Sequence, residues 1–170
     1  MIRLTIFILL LWVLSSCWPT SVSVIDKGGM PEEWKTFSLK TLENNAANAP
    51  LNYSLNLSES IKDGVQNNTR LLLNTETGKG EVYIEGAITG YSVIPVAMQE
   101  GDNSAKNRLT VTAQFSFFIT TPAEDKMTLT ASRFIDYDSN TDLATVESTL
   151  LEEITKQIVQ DVVNKLLSNW

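Results

Sequence analysis

The chain has 170 residues, of which 43% are hydrophobic and 19% charged, so its length and composition indicate one globular domain and exclude collagen-like and disordered classes. Its 13 Lys and Arg residues against 20 Asp and Glu residues give a formal net charge of −7, which argues against nucleic-acid binding because phosphate backbones attract basic surfaces. The sequence has no His and one Cys. This excludes Ser-His-Asp triads, Cys-His pairs, nearly every catalytic zinc site and an intrachain disulfide, and we expect neither an enzyme nor a bound cofactor.

The first seventeen residues combine a short basic start, an apolar segment and the single Cys. Arg3 is followed by residues 4–14, which are apolar except for Thr5. Eleven residues rise about 16 Å as a helix, against a hydrocarbon core of about 30 Å, so the segment is too short to span a membrane and fits a signal-peptide core. Residues 14–17, Leu-Ser-Ser-Cys, then resemble the bacterial lipobox, in which the Cys thiol is acylated and becomes the first residue of the mature chain.

We therefore predict a signal peptide over residues 1–16, acylation of Cys17 and a lipidated tether over residues 17–33, whose two Gly and two Pro residues indicate a linker. The weaker alternative is an unmodified Cys in an ordinary signal peptide. No Asp follows Cys17, and no acidic cluster lies near it. By similarity to sorted lipoproteins, this favours the periplasmic face of the outer membrane.

The mature chain is predicted to begin with a strand, a loop and a helix. Residues 35–39 alternate between polar and apolar types, which indicates a strand, and residues 44–50 form a loop. Apolar residues spaced four apart indicate a helix over about 54–67. Asn56 and Glu59 have the spacing of a capping pair, although an earlier start of the helix is also open.

A meander of three or four strands and a long helix follow. The strands are predicted over residues 70–74, 81–96, 109–119 and 127–136. The third of them alternates most clearly, which indicates a half-buried antiparallel strand, and a polar hairpin tip over 99–107 precedes it. The last helix covers about 143–168, with a predicted core stripe of Val146, Leu150, Ile154, Ile158, Val162 and Leu166.

Three glycines lie inside predicted elements. Gly64 costs the first helix about 1 kcal/mol relative to Ala, which suggests that it allows close packing on the sheet. Gly86 and Gly90 indicate bulges or strong twist in the long strand.

Each predicted helix has one apolar stripe and each strand one apolar face, so both must bury the same surface. We predict an α+β two-layer sandwich over residues 34–170, with two helices packed on one face of a mostly antiparallel four-stranded sheet.

Residues 136–142, with Glu147 beyond them, match the spacing of oxygen ligands in an EF-hand calcium loop. Thr141 occupies the position that needs Gly, and a strand precedes the loop instead of a helix. The favoured alternative is a polar turn in which Asn140 or Asp142 caps the following helix. We therefore predict no metal site.

Three basic residues are candidates for binding the phosphates of a glycolipid, because a guanidinium matches such groups with two parallel hydrogen bonds. They are Lys106, Arg108 and Arg133. For each residue taken alone, surface solubility is the favoured alternative. Trp170 either completes the core or presents a contact, and the sequence does not decide between them.

Several segments together resemble one family. They are residues 35–39 (Lys-Thr-Phe-Ser-Leu), 85–96 (Glu-Gly-Ala-Ile-Thr-Gly-Tyr-Ser-Val-Ile-Pro-Val), 107–111 (Asn-Arg-Leu-Thr-Val), 136–139 (Asp-Tyr-Asp-Ser) and 164–170. With the lipobox and the order of elements, they are similar to the LptE family of lipopolysaccharide-assembly lipoproteins, in the form found in Bacteroidetes. The similarity runs from Trp34 to Trp170, and residues 85–96 are its most specific part.

The resemblance implies a non-enzymatic lipoprotein of the outer membrane. Members of that family sit inside the LptD β-barrel, where they act as a plug and assembly aid while lipopolysaccharide passes to the cell surface. Members from enteric bacteria contact the glycolipid through basic residues whose positions have no residue-by-residue match here. The runner-up is a stand-alone periplasmic lipoprotein, such as an auxiliary subunit of a lipid transporter.

Replacing Cys17 by Ala tests the predicted anchor. The variant lacks the thiol that takes the lipid, so we expect it to move to the soluble fraction or to remain uncleaved. Fractionation and intact mass measure both outcomes. Unchanged membrane attachment that is also insensitive to globomycin would contradict lipidation.

Overall fold

The structure, a computed structural model, describes residues 29–96 and 105–167. The predicted signal peptide, Cys17, most of the predicted tether and hairpin tip, and Trp170 lie outside the described residues. Within them, the strands are Thr36–Leu39 (β1), Glu43–Asn44 (β2), Leu72–Leu73 (β3), Val82–Val96 (β4), Lys106–Ile119 (β5) and Asp125–Asp138 (β6). The helices are Tyr53–Asn68 (α1) and Leu143–Leu167 (α2).

The strands form one mixed sheet. β4, β5 and β6 are an antiparallel meander paired along their lengths. β1 lies between β3 and β4 and is parallel to both, and β2 pairs parallel with β4 further along the same edge. The predicted α+β fold is confirmed. The sheet has six described strands where we expected four, and it is partly parallel because the α1 crossover returns the chain beside β1.

Helix α1 begins earlier than its predicted capping pair. Asn52 is the residue before the first turn, its side chain makes no capping bond, and its carbonyl accepts a hydrogen bond from Asn56 N at 3.1 Å. Asn56 therefore lies inside the helix, and Glu59 pairs with Lys62 at 2.8 Å. Of the two alternatives that the sequence leaves open, the earlier start of the helix is confirmed, and Asn56 and Glu59 do not form a capping pair.

Gly64 allows close packing of the two helices. A Cβ atom at this position would lie 2.2 Å from Val159 Cγ1 of α2. The prediction of close packing is confirmed, but the neighbour is the other helix and not the sheet. Periodicity alone identifies the buried face of α1 without identifying the element that covers it.

The core lies between the helices and one face of the sheet. On β5 the buried side chains are Leu109, Val111, Ala113, Phe115, Phe117 and Ile119, as the alternation predicts. On α2 they are Leu151, Ile154, Thr155, Ile158, Val162, Val163 and Leu166. The predicted stripe is thus confirmed over the C-terminal part of α2, whereas Val146 and Leu150 are only half-buried because this part of the helix lies at the margin of the core.

The chain enters the sheet through a buried Trp. Trp34 is fully buried, and its Nε1–H donates to the carbonyl of Thr121, beyond the end of β5, at 2.7 Å. Arg70 Nη2 donates to the carbonyl of Met30 at 2.6 Å and also to that of Pro31. The entry of the chain is therefore attached both to the core and to the segment that follows α1.

Neither α1 nor α2 combines the length and the apolar character that a membrane span requires.

Gly86 lies in β4 at a point where the backbone of β5 is close. A Cβ atom there would lie 2.3 Å from the carbonyl oxygen of Gln114, whereas at Gly90, beside the bulge after Ile88, the nearest atom is Thr112 Cβ at 3.2 Å. The predicted irregularity of β4 is confirmed at the bulge.

Replacing Gly86 by Ala is expected to lower the free energy of unfolding by about 1–3 kcal/mol, because the backbone atom it meets cannot move aside. Gly90→Ala is the matched control and should cost clearly less. Urea unfolding of both variants measures the difference. Equal costs would show that the close approach at Gly86 is relieved by small backbone shifts.

Candidate functional site

The face of the sheet opposite the helices is polar, and we call it the open face. On β5 it carries Thr110, Thr112, Gln114, Ser116 and Phe118, which alternate with the buried residues. The register places Thr128, Thr130, Ser132 and Phe134 of β6 beside them. The Thr112 and Ser132 hydroxyls lie 3.0 Å apart. This face consists mainly of hydroxyl and amide groups and is suited to a wet environment.

A shallow concavity of about 590 Å³ lies near the middle of the open face. Lys40 and Glu43 line it from the sheet edge, and their charged groups lie 3.0 Å apart. Glu85, Gln114 and Thr130 line it from the three long strands. The lining can donate and accept hydrogen bonds, so it is suited to a polar surface.

Arg108 lies on the open face, near the end of the sheet where β4 ends and β5 begins. Its Nε and Nη2 donate to the two carboxylate oxygens of Asp136, at 2.7 and 2.8 Å. Its guanidinium carbon lies 3.8 Å from the centre of the Phe134 ring. Ile94 is its cross-strand neighbour on β4 and is 53% exposed. Arg108 is therefore fixed by a two-bond ion pair and an aromatic contact.

The hydrogen bonds from Arg108 hold the pKa of the Asp136 carboxyl below its ordinary value, and the charges of Arg108 and Lys106 add to the shift. Lys106 lies on the same face, two residues before Arg108 on β5. The structure thus brings together two of the three basic residues that the sequence singles out.

Arg133 lies on the other face of the sheet, toward α2. Its β5 neighbour is the buried Val111. Its Nε donates to Asp161 Oδ2 at 2.7 Å, and its Nη2 bonds the second oxygen of that carboxylate. Arg133 therefore connects β6 to α2 and is not part of the same site as Lys106 and Arg108.

The acidic turn before α2 is organised by hydrogen bonds to the backbone. Asp138 Oδ1 accepts from Asn140 N at 2.8 Å, and Asp142 Oδ1 accepts from Ala144 N at 3.2 Å. Asp142 caps α2, which confirms the capping interpretation. Within residues 29–96 and 105–167, no three acidic or Cys side chains are placed to hold a metal ion.

A bond that sequence patterns do not predict joins Tyr91 of β4 to Glu147 of α2. Burial raises the pKa of the Tyr91 hydroxyl, and the bond to the Glu147 carboxylate raises it further. Tyr91 and Arg133 thus hold α2 across the sheet at two points, one on β4 and one on β6.

The sequence matches the model of the LptE family, described as lipopolysaccharide-assembly, over residues 34–166. The chain belongs to the LptE family. The match covers the sheet, both helices and the open face, so the site described above lies within the family domain.

Solved structures of similar fold come from several bacteria. A homologue of a neuraminyllactose-binding hemagglutinin from Helicobacter pylori has a TM-score of 0.53 at 9% identity, covering 88% of this chain and 89% of that one. A hypothetical protein from Chlamydia trachomatis has a TM-score of 0.52 at 10% identity, covering 78% and 98%. Uncharacterized lipoprotein B from Nitrosomonas europaea has a TM-score of 0.50 at 14% identity, covering 81% and 84%. At these identities the likeness concerns the fold alone. No curated protein matches the chain.

Replacing Asp136 by Asn tests the ion pair with Arg108. The pKa of Asp136 is lowered in the folded state, so its contribution to stability is present above the unfolded-state pKa of about 3.9. That contribution is lost as the pH falls through the lower folded-state pKa. We expect the variant to be slightly less stable than the wild type at pH 7, because the pair is partly exposed, and the difference to shrink as the pH falls below the unfolded-state pKa.

Urea unfolding at pH 7, 5 and 3 measures this difference. Asp63→Asn, at an exposed position of α1, is the control for loss of an acidic charge alone. A stability difference for Asp136→Asn that persists unchanged at pH 3 would show that the charge of Asp136 does not stabilise the fold.

Proposed function

We propose that this protein is an outer-membrane lipoprotein, anchored through acylated Cys17 on the periplasmic face, that plugs the LptD barrel and supports its assembly for lipopolysaccharide transport. The observation that carries the proposal is the family match over residues 34–166, nearly the whole folded domain. The role is structural and not catalytic, and the partners are the barrel, the lipopolysaccharide and the membrane.

The open face supports this role. The interior of an outer-membrane barrel is polar and hydrated. A domain that fills it needs a rigid core and at least one broad polar surface. The helices and the sheet supply the core, and the hydroxyl-rich open face supplies such a surface.

The predicted anchor supports it through proximity. A lipid at Cys17 followed by a linker keeps the domain near the membrane and raises its local concentration at a barrel in the same membrane. Two or more acyl chains are needed for stable attachment, as the lipobox chemistry supplies.

Binding of glycolipid phosphates by Lys106, Arg108 and Arg133 stays a prediction. Arg108 and Arg133 already donate paired hydrogen bonds to the carboxylates of Asp136 and Asp161. A phosphate must therefore compete with an internal carboxylate for each guanidinium group. Lys106 lies on the open face and carries a point charge rather than a planar edge.

Purification of the tagged full chain from solubilised outer membranes tests the proposal. We expect an LptD-type barrel to be recovered with it, because a plug is held by a large surface. A tagged lipoprotein with an unrelated domain controls for barrels that share a detergent micelle. A clean preparation without a barrel contradicts the proposal, and recovery of inner-membrane ATPase components would favour the lipid-transporter alternative.

A further inference from the structure

Another cavity lies between the N-terminal halves of the two helices, on the side of the domain away from the open face. Its volume of about 370 Å³ is near the lower end of the range for small-molecule sites, about 300–1,000 Å³. We call it the helix cleft. The residues that line it include Asn52, Tyr53, Asn56 and Ser60 at the start of α1, and Glu147 and Ser148 of α2.

The sequence of α2 explains why the helices separate here. Val159 packs so closely against Gly64 of α1 that no Cβ atom fits at that glycine. Ala144 and Ser148 precede Val159 on the same side of α2, at helical spacing, and both line the cleft. Their side chains are small, so they leave between the helices a space that larger residues would fill.

Tyr53 contributes a buried hydroxyl to the cleft. The residue is 3% exposed, and its phenol oxygen accepts a hydrogen bond from Oγ1 of Thr155, which also lines the cleft, at 3.2 Å. Burial raises the pKa of the Tyr53 hydroxyl, and the bond from Thr155 opposes that shift, as expected when the phenol oxygen accepts. Within residues 29–96 and 105–167, no acceptor takes the proton of this hydroxyl. A buried donor without an acceptor costs free energy, and an oxygen of a bound ligand can supply the acceptor.

Four further polar side chains line the cleft without a hydrogen bond to any described residue. They are Asn52, Asn56, Ser60 and Ser148. Amide and hydroxyl side chains each donate and accept hydrogen bonds. Both walls of the cleft therefore offer donors and acceptors to a ligand whose own groups do both.

The charge of the lining limits the class of ligand. Glu147 and Glu152 line the cleft, and its described lining contains no Lys or Arg. Tyr91 donates to one oxygen of Glu147, and Lys156, outside the lining, pairs with Glu152 at 3.1 Å. A phosphate or carboxylate in the cleft would approach two carboxylates of like charge. The lining therefore favours an uncharged ligand that is rich in hydroxyl groups.

We propose that the helix cleft binds an uncharged sugar residue of an envelope glycan. Sugar hydroxyls donate and accept, so they match the amides and hydroxyls of the lining, and one sugar oxygen accepts from Tyr53. Leu151 supplies an apolar contact for the ring. The proposal does not rest on the plug role, because the cleft lies on the helix side of the domain and its test needs no barrel.

Saturation-transfer NMR on the full chain, purified in a detergent without a sugar headgroup, tests the proposal. We expect saturable binding of glucose or N-acetylglucosamine. Glucose 1-phosphate should bind at least tenfold more weakly, because its charge meets Glu147 and Glu152. No saturable binding of either uncharged sugar overturns the proposal, and so does equal binding of the phosphorylated sugar.

Ser148→Leu places binding in the cleft. Ser148 is an exposed helical position, so we expect an unchanged melting temperature, while the larger side chain fills the cleft and weakens sugar binding by about tenfold. Thr128→Leu is the matched control, because Thr128 is exposed and lines the concavity of the open face. It should leave binding unchanged. Loss of binding in both variants, or in neither, overturns the proposal.

Tyr53→Phe tests the buried hydroxyl. The variant keeps the ring in the core and removes the proton that the sugar accepts, so we expect binding to weaken by about fivefold. Thermal unfolding confirms that the variant is folded at the temperature of the titration. Unchanged sugar binding in the folded variant would contradict the assigned role of Tyr53.

Competition identifies the source of the sugar. Soluble cell-wall glycan fragments and the detached outer polysaccharide of lipopolysaccharide both carry uncharged sugars. Displacement of the bound probe by either one supports the proposal and names the source. Lipopolysaccharide truncated to its phosphate-rich core should not displace the probe, because its charges are excluded from the cleft. Displacement by the truncated form alone, or by none of the three, overturns the proposal.

Discussion

The structure depends on one constraint, which is that the two helices cover only one face of a twisted sheet. The two faces differ most clearly on β5, which has six buried side chains on one face and mainly hydroxyl or amide groups on the other. The core stripe of α2 packs on the buried face, and Tyr91 and Arg133 hold the helix across it. Because the helices leave the second face of the sheet uncovered, polar residues line that face and form the open face.

Much of the fold can be predicted from local patterns. The start of α2 follows from the capping residue Asp142, and the two faces of β5 follow from strict alternation. Patterns fail where pairing is long-range. The two-residue strands β2 and β3 carry too few residues for a periodic signal, and their parallel pairing depends on where α1 returns the chain. Gly64 illustrates the same limit, because its spacing indicates close packing but does not identify the neighbour.

The candidate site is less predictable than the fold. Sequence reasoning selects Lys106, Arg108 and Arg133 by charge, but only the register shows that Arg133 faces α2 while the other two share the open face. A shift of one residue in β6 would reverse that assignment. The partners Asp136 and Asp161 lie 28 residues from their arginines in the sequence, so no local spacing points to these pairs. The exposure of Ile94 and Phe134 near one end of the sheet depends on the packing of the whole domain, so no spacing in the sequence indicates it.

The attachment of Trp34 and Arg70 has a mechanical consequence. In a chain held at its N-terminus, a pulling force arrives first at residues 30–34. Arg70 carries part of it into the segment after α1, and the indole of Trp34 carries part of it to Thr121 at the end of β5. A force applied at the predicted anchor would thus be shared by the segment after α1 and the end of β5 instead of acting on the four residues of β1 alone.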